Sequence, residues 1–176
     1  MTHVLTRASM TLLMLAFTCG SYAADKKTDN KKLSGNDKHF ITEAAQDGLA
    51  EVELGKIAQQ NGASAEVKQF GQRMADDHSK ANQELETIAK QLGATVPTQP
   101  GGKHAKMVKE LSKKTGARFD HEYTEDMVKD HEKAVALFEK QSKKGDSEEL
   151  KQFAAKTLPV LQEHLKMARA LTSRKK

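Results

Sequence analysis

The sequence has little of what several protein classes require. Its 176 residues include one cysteine, no tryptophan and three prolines, and only 5% are aromatic. A single cysteine excludes a disulfide framework and a cysteine-rich metal site. So few prolines, with only 11 glycines, argue against a β-sandwich or β-barrel, which needs many turns. No apolar run reaches the roughly 20 residues of a membrane-spanning helix, so we expect no transmembrane span in the mature chain.

The charges are mixed along the chain. There are 29 basic and 24 acidic residues, and lysines alternate with acids in the manner of solvated helix surfaces. Basic residues are massed only at 26–32 and at the tail, 174–176. We find no basic stripe interleaved with aromatic residues, and therefore expect no nucleic-acid partner.

The first 23 residues have the pattern of a secretory signal peptide. They contain one strong base, Arg7, and no acid, followed by an apolar stretch at 10–17 and the small-x-small ending Ser21-Tyr22-Ala23. We expect cleavage after Ala23 and a secreted, periplasmic protein. Residues 16–18 are a poor lipoprotein signal, which argues against lipid anchoring at Cys19.

The rest of the chain shows helical periodicity interrupted by short turns. Apolar residues recur at three- and four-residue steps in four long segments, and Gly62, Gly93 and Gly145 end the first three. Ser64 is expected to cap the second helix. Asp146 with Glu149 resembles a capping box for the fourth, in which Pro159 should introduce a kink. The predicted division is a signal peptide at 1–23, a flexible leader at 24–35, a bundle domain at 36–172 and a basic tail at 173–176.

An internal repeat relates the two halves of the bundle. The segment Ser64–Gly71 matches Ser147–Ala154 at an offset of 83, with five identities in eight. Each half is therefore a helical hairpin, over 36–92 and 117–172, and the crossover 93–116 contains a short helix near 103–114. Short turns within the hairpins and one long link predict an all-α, ferritin-like four-helix bundle.

Candidate chemistry lies in acid–histidine pairs near the middle of the helices. The histidines fall on apolar stripes, and helix lengths place them within about 10 Å of one another along the bundle axis. The predicted metal ligands are Glu51, His78, His131 and His164, and the second-tier residues are Asp77, Asp130 and Glu163. Imidazole and carboxylate groups suit a transition-metal ion, the cofactor this cluster predicts. Adjacent residues do not share a helix face, so we expect the paired acids to point away from the centre.

Two other interpretations of this cluster stay open. The histidines could form a structural polar layer without metal, or they could face solvent. The Glu-x-x-His motifs of di-iron carboxylate bundles are absent, because Ala75, Val128 and Leu161 stand three residues before the histidines. No phosphate loop or nucleophile elbow occurs, so no catalytic or cofactor-binding residue is predicted. His39 and His121 are expected at the surface.

Several of these segments resemble the domain of unknown function 4142 family. They are Asp37–Phe40, Glu51–Ala58, Val67–Gly71, Met74–His78, Met127–His131 and Glu163-His164. The resemblance implies a bacterial envelope protein with a ferritin-like bundle, and it carries no established activity or catalytic residue.

The sequence favours a periplasmic binding bundle over an enzyme, with a metal or small ligand held at the acid–histidine cluster. One alternative is a structural or envelope interaction module that uses the basic leader, Lys26–Lys32, against an envelope protein or an anionic surface. The other is a redox-active metal enzyme. The oligomeric state is not defined by the sequence.

Overall fold

The computed structural model describes residues 33–173. Five helices account for most of this range, and it contains no strand. The predicted signal peptide, most of the leader and residues 174–176 lie outside the described residues. The helices are α1 (Gly35–Asn61), α2 (Ala65–Gln91), α3 (Gly102–Leu111), α4 (Gly116–Lys144) and α5 (Glu148–Ser173).

The four long helices form a four-sided bundle. α1 packs mainly against α2, and α4 against α5, while the α1–α4 and α2–α5 contacts close the other two sides. The short helix α3 lies on the side formed by α1 and α4. This arrangement confirms the predicted all-α bundle of two hairpins. Within the described residues no helix is long and apolar enough to span a membrane.

Two buried aspartates join each hairpin to the turn of the other. Asp37, in the first turn of α1, accepts hydrogen bonds from the backbone amides of Asp146 (3.2 Å) and Ser147 (3.0 Å) in the α4–α5 turn. Asp120, in the first turns of α4, accepts from the amides of Ala63 (2.9 Å) and Ser64 (3.0 Å) in the α1–α2 turn. The first helix of each hairpin therefore begins beside the turn that joins the two helices of the other hairpin. The crossover consequently runs the length of the bundle, as the ferritin-like topology requires.

The helix caps follow the internal repeat. The Ser64 hydroxyl accepts from the amide of Val67 at 3.3 Å. The Ser147 hydroxyl accepts in the same way from the amide of Leu150 at 3.4 Å. The predicted capping box beginning at Asp146 is therefore wrong by one residue, because Ser147 is the cap. α5 is a single helix with Pro159 inside it.

Glycines allow α1 and α2 to approach closely. A Cβ atom on Gly55 would lie 2.4 Å from the carbonyl oxygen of Gly71, and a Cβ on Gly71 would lie 2.7 Å from that of Gly55. Non-bonded heavy atoms prefer about 3.5–4.0 Å. Any larger residue at either position would therefore push the helices apart.

The core consists of two apolar clusters, one toward each end of the bundle. The first is built around Phe40, Phe138 and Phe153, whose rings contact one another at centroid distances of 5.0 to 6.3 Å. The second is built around Phe70, Phe119 and Tyr123. Each long helix contributes to both clusters. The residues between the two clusters therefore form a middle layer of the bundle, to which each long helix contributes.

Replacing either buried aspartate should destabilise the protein. We expect Asp37→Ala and Asp120→Ala each to lower the free energy of unfolding by about 2–4 kcal/mol, because each removes two charge-assisted hydrogen bonds to turn amides. Urea denaturation measures the change. The matched control is Asp76→Ala on the exposed face of α2, which should cost less than about 0.5 kcal/mol. Equal losses in all three variants would contradict the anchoring role.

Candidate metal centre

The layer between the two apolar clusters is polar on all four long helices. Its members are buried, with exposed fractions of 5% for Glu51, 8% for His78, 1% for His131 and 0% for His164. On each long helix the polar residue of this layer lies between residues of the first cluster and residues of the second. These are the four residues predicted from the sequence. The interpretation that the histidines face solvent is wrong, since all three are buried.

The three imidazoles meet at the bundle centre. One nitrogen from each of His78, His131 and His164 lies within 4.8 Å of the other two. The ring centroids are 5.4 to 5.7 Å apart. Glu51 does not belong to this group of atoms. Its Oε1 lies 3.9 Å from Nδ1 of His131, at one edge of the cluster.

Hydrogen bonds on the outer side of two rings define which nitrogen carries the proton. Nδ1 of His131 lies 3.0 Å from the carbonyl oxygen of Met127, which can only accept, so Nδ1 is the donor. Nε2 of His164 lies 3.0 Å from Oδ2 of Asp77, and we assign the proton to Nε2 by the same reasoning. The inward nitrogens, Nε2 of His131 and Nδ1 of His164, therefore present lone pairs.

These inward nitrogens are buried without a protein hydrogen-bond partner. The same holds for Nε2 of His78 and Oε2 of Glu51. A buried polar atom left unsatisfied costs about 1–3 kcal/mol. Four such atoms in one layer make the arrangement expensive as a purely structural feature. A ligand that accepts lone pairs would satisfy the nitrogens.

Burial changes the proton affinity of the whole layer. Desolvation lowers the pKa of His78 well below its ordinary value, and the neighbouring imidazoles lower it further. Burial and His164 lower the pKa of His131 to about 4. Burial also lowers the pKa of His164, although Asp77 acts in the opposite direction. Burial and Asp130 raise the pKa of Glu51 well above its usual range. Near neutral pH the imidazoles are therefore uncharged and available as ligands.

The acids next to the histidines behave differently from one another. Asp77 crosses the α2–α5 contact to the outer side of His164, consistent with the expectation that it points away from the centre, and also pairs with Arg73 at 3.3 Å. Burial raises the pKa of Asp77, but the His164 and Arg73 bonds outweigh it and lower the pKa overall. Glu163 lies 3.7 Å from Lys166 on the exposed side of α5. The third acid, Asp130, lies beside Lys133 at 3.2 Å.

A further histidine that the sequence analysis did not single out lies at the edge of this layer. Nδ1 of His104, on α3, is 2.9 Å from Oδ1 of Asp47 on α1. His104 and Asp47 line a cavity of about 10 Å³ together with Glu51, Asp130 and His131. The placement of His104 depends on the path of the crossover, for which the sequence carries no periodic signal. His39 and His121 are exposed, as predicted.

Fold and site together define a ferritin-like four-helix bundle with a buried tri-histidine layer. The sequence matches the domain of unknown function family DUF4142 over residues 23–171, and the chain belongs to this family. The crystal structure of a DUF305 fragment from Deinococcus radiodurans is similar, with a TM-score of 0.70 at 13% identity, covering 81% of this chain and 98% of that one. This likeness concerns the fold alone. No functionally curated protein matches the chain.

Acidification should destabilise the chelator-treated protein. Below about pH 6.5 the unfolded histidines bind protons that the buried histidines do not, so stability falls as pH falls. The raised pKa of Glu51 has the opposite effect on stability as the pH falls. Only this one group contributes it, whereas three histidines contribute the loss. We expect a loss of about 2–3 kcal/mol in the free energy of unfolding between pH 7.5 and pH 5.

Urea denaturation at several pH values measures this loss. A triple variant, His78→Gln with His131→Gln and His164→Gln, should abolish this loss and leave the opposite pH dependence that Glu51 contributes. His121→Gln, at an exposed position, is the matched control and should keep the loss. An identical pH dependence of the free energy of unfolding in the wild type and the triple variant would show that the three imidazoles are not buried in the neutral form.

Proposed function

We propose that the protein binds one divalent transition-metal ion through His78, His131 and His164. The observation that carries the proposal is the convergence of three buried, neutral imidazoles whose inward nitrogens lack a protein partner. Neutral imidazole is a ligand for zinc, copper, nickel and iron. Three protein ligands leave a further coordination position open, as in tri-histidine zinc sites.

The distances suit this role after a small adjustment. A tetrahedral ion with metal–nitrogen bonds of about 2.0–2.1 Å separates its ligand nitrogens by about 3.4 Å. One nitrogen of each imidazole lies within 4.8 Å of a nitrogen of the other two. Closing this gap requires movements of roughly 1 Å, which side-chain rotations can supply. The Met127 and Asp77 hydrogen bonds would hold two of the rings in the tautomers that binding needs.

Glu51 supplies the charge that a cation in this layer would need. Burying an uncompensated divalent ion among neutral ligands is costly, and a nearby carboxylate reduces the cost. A bound cation would favour the ionised form of Glu51, in opposition to the effect of burial. Glu51, whose Oε1 lies 3.9 Å from Nδ1 of His131, therefore acts as a compensating carboxylate at the edge of the layer.

The size of the site favours binding over turnover. The cavity beside the histidines has a volume of about 10 Å³, which accommodates about one water molecule. An organic substrate would not fit beside a metal ion there. We therefore propose a metal-binding protein of the bacterial envelope, with the location taken from the signal-peptide pattern of residues 1–23, and we favour this over the redox enzyme.

Metal titration tests the proposal directly. Isothermal calorimetry and elemental analysis of chelator-treated protein with zinc, copper, nickel and iron should give about one ion per chain for at least one metal. His131→Ala should abolish binding, because it removes a ligand from the centre of the layer. His121→Ala, an exposed histidine, should leave it unchanged. Absence of binding for every ion, with a folded protein, would refute the proposal and favour the structural layer.

The Asp77–His164 hydrogen bond should also influence affinity. Loss of a carboxylate behind a ligating histidine commonly weakens metal binding by about 10–100-fold. Asp77→Asn should fall in this range while stoichiometry stays at one. Asp76→Asn, the neighbouring exposed residue, is the control. Equal affinities in both variants would show that Asp77 does not orient the ligand.

A further inference from the structure

The side of the bundle that faces α3 has two adjoining cavities. The outer one has a volume of about 370 Å³ and lies between α1, α3 and α4. The inner one is the cavity of about 10 Å³ beside Glu51, His78 and His131. Asp47, His104 and Asp130 line both cavities. These three residues therefore separate the outer cavity from the histidine layer.

Carboxylates are placed along this direction, although Lys103 and Lys133 also line the outer cavity and Lys133 lies 3.2 Å from Asp130. Asp47 and Asp130 stand at the boundary, and Glu51 lies behind them. Glu51 is 95% buried, lines the inner cavity and carries an oxygen without a protein partner. Their proximity is evident in the raised pKa of Glu51, to which Asp130 and Asp47 both contribute after burial. Successive oxygen ligands of this kind suit a divalent cation that loses its water stepwise.

A second cavity reaches His78 from another direction but has a different character. Its walls include Leu85, Phe138, Phe153 and Leu161. Apart from His78, its polar members are Asp47, Asn82 and Thr157, so it offers an ion one carboxylate, and losing hydration along its apolar walls is costly. The cavity on the α3 side offers replacement ligands at each step.

We propose that Asp47, His104 and Asp130 form the port through which a divalent cation reaches the histidine layer. The inference rests on the proposed metal binding and adds the route and the residues that control it. The 2.9 Å contact between His104 and Asp47 closes the port. Separation of that pair frees the Asp47 carboxylate for the arriving cation. Asp130 and then Glu51 receive the cation before the imidazoles do.

Two substitutions have opposite expected effects on the rate of metal uptake. His104→Ala removes the closing contact and should speed both uptake and release about tenfold, as loss of a gate does. Asp130→Asn removes a charge that attracts the cation and should slow uptake about tenfold at low salt, with a weaker salt dependence. The equilibrium dissociation constant of His104→Ala should stay within about twofold of the wild type, because a change at the port alters both rates alike.

Stopped-flow mixing of the chelator-treated full-length protein with Cu²⁺ or Co²⁺ measures these rates through the absorbance of the metal-bound protein. Asp76→Asn, on the exposed face of α2 and outside both cavities, is the matched control and should leave the rates unchanged. His104→Asn is a second variant of the closing residue that retains a polar side chain. Melting curves verify that each variant is folded.

The outcomes separate the port from the site. One ion per chain with wild-type rates in His104→Ala, His104→Asn and Asp130→Asn would overturn the port and leave the tri-histidine site in place. No bound ion in the wild-type protein would overturn both. Faster exchange in the His104 variants together with slower uptake in Asp130→Asn would support the port.

Discussion

The reciprocal anchoring of the two hairpins by Asp37 and Asp120 is the constraint on which the rest of the structure depends. Each carboxylate binds two amides of the opposite turn, so neither hairpin can slide along the other without breaking charge-assisted hydrogen bonds inside the protein. One residue of slippage would move a helix by about 1.5 Å. One nitrogen of each of the three imidazoles lies within 4.8 Å of the others, so a shift of that size would change these distances substantially.

The internal repeat helps to distinguish a functional layer from a structural one. At the offset of 83, the equivalents of His78, His131 and His164 are Leu161, Gly48 and Ala81. The same scaffold thus accommodates an apolar or small residue at each of these positions in its other half. Packing alone does not demand an imidazole there. Burying three imidazoles with unsatisfied nitrogens has a cost, and ligand binding is the physical reason that would offset it.

Much of this architecture could be predicted because the determining interactions are local. The apolar periodicity, the glycines that end the helices and the Ser64 cap all depend on neighbours along the chain. The repeat at an offset of 83 residues predicts the same features in the second hairpin. The four members of the polar layer followed from helix lengths and one topology. The role of Asp77 did not follow, because the angle of about 100° between adjacent helix positions shows that Asp77 faces away from the centre but not which residue of a neighbouring helix it meets. One can therefore face the centre while the other faces the next helix, which is where Asp77 finds His164.

The position of His104 could not be predicted from the sequence. It also shows what the crossover covers. The position of His104 depends on where α3 packs against α1 and α4. These contacts join residues far apart in the chain, and the apolar periodicity of the sequence does not predict them. A bundle with a short connection would leave the α1–α4 side bare and the layer behind it reachable by solvent. The crossover instead places an imidazole over the acidic side of the layer, 2.9 Å from Asp47. The topology that sets the register of the three histidines therefore also covers the approach to them, so in the proposed metal site affinity and exchange rate would be adjusted by different residues.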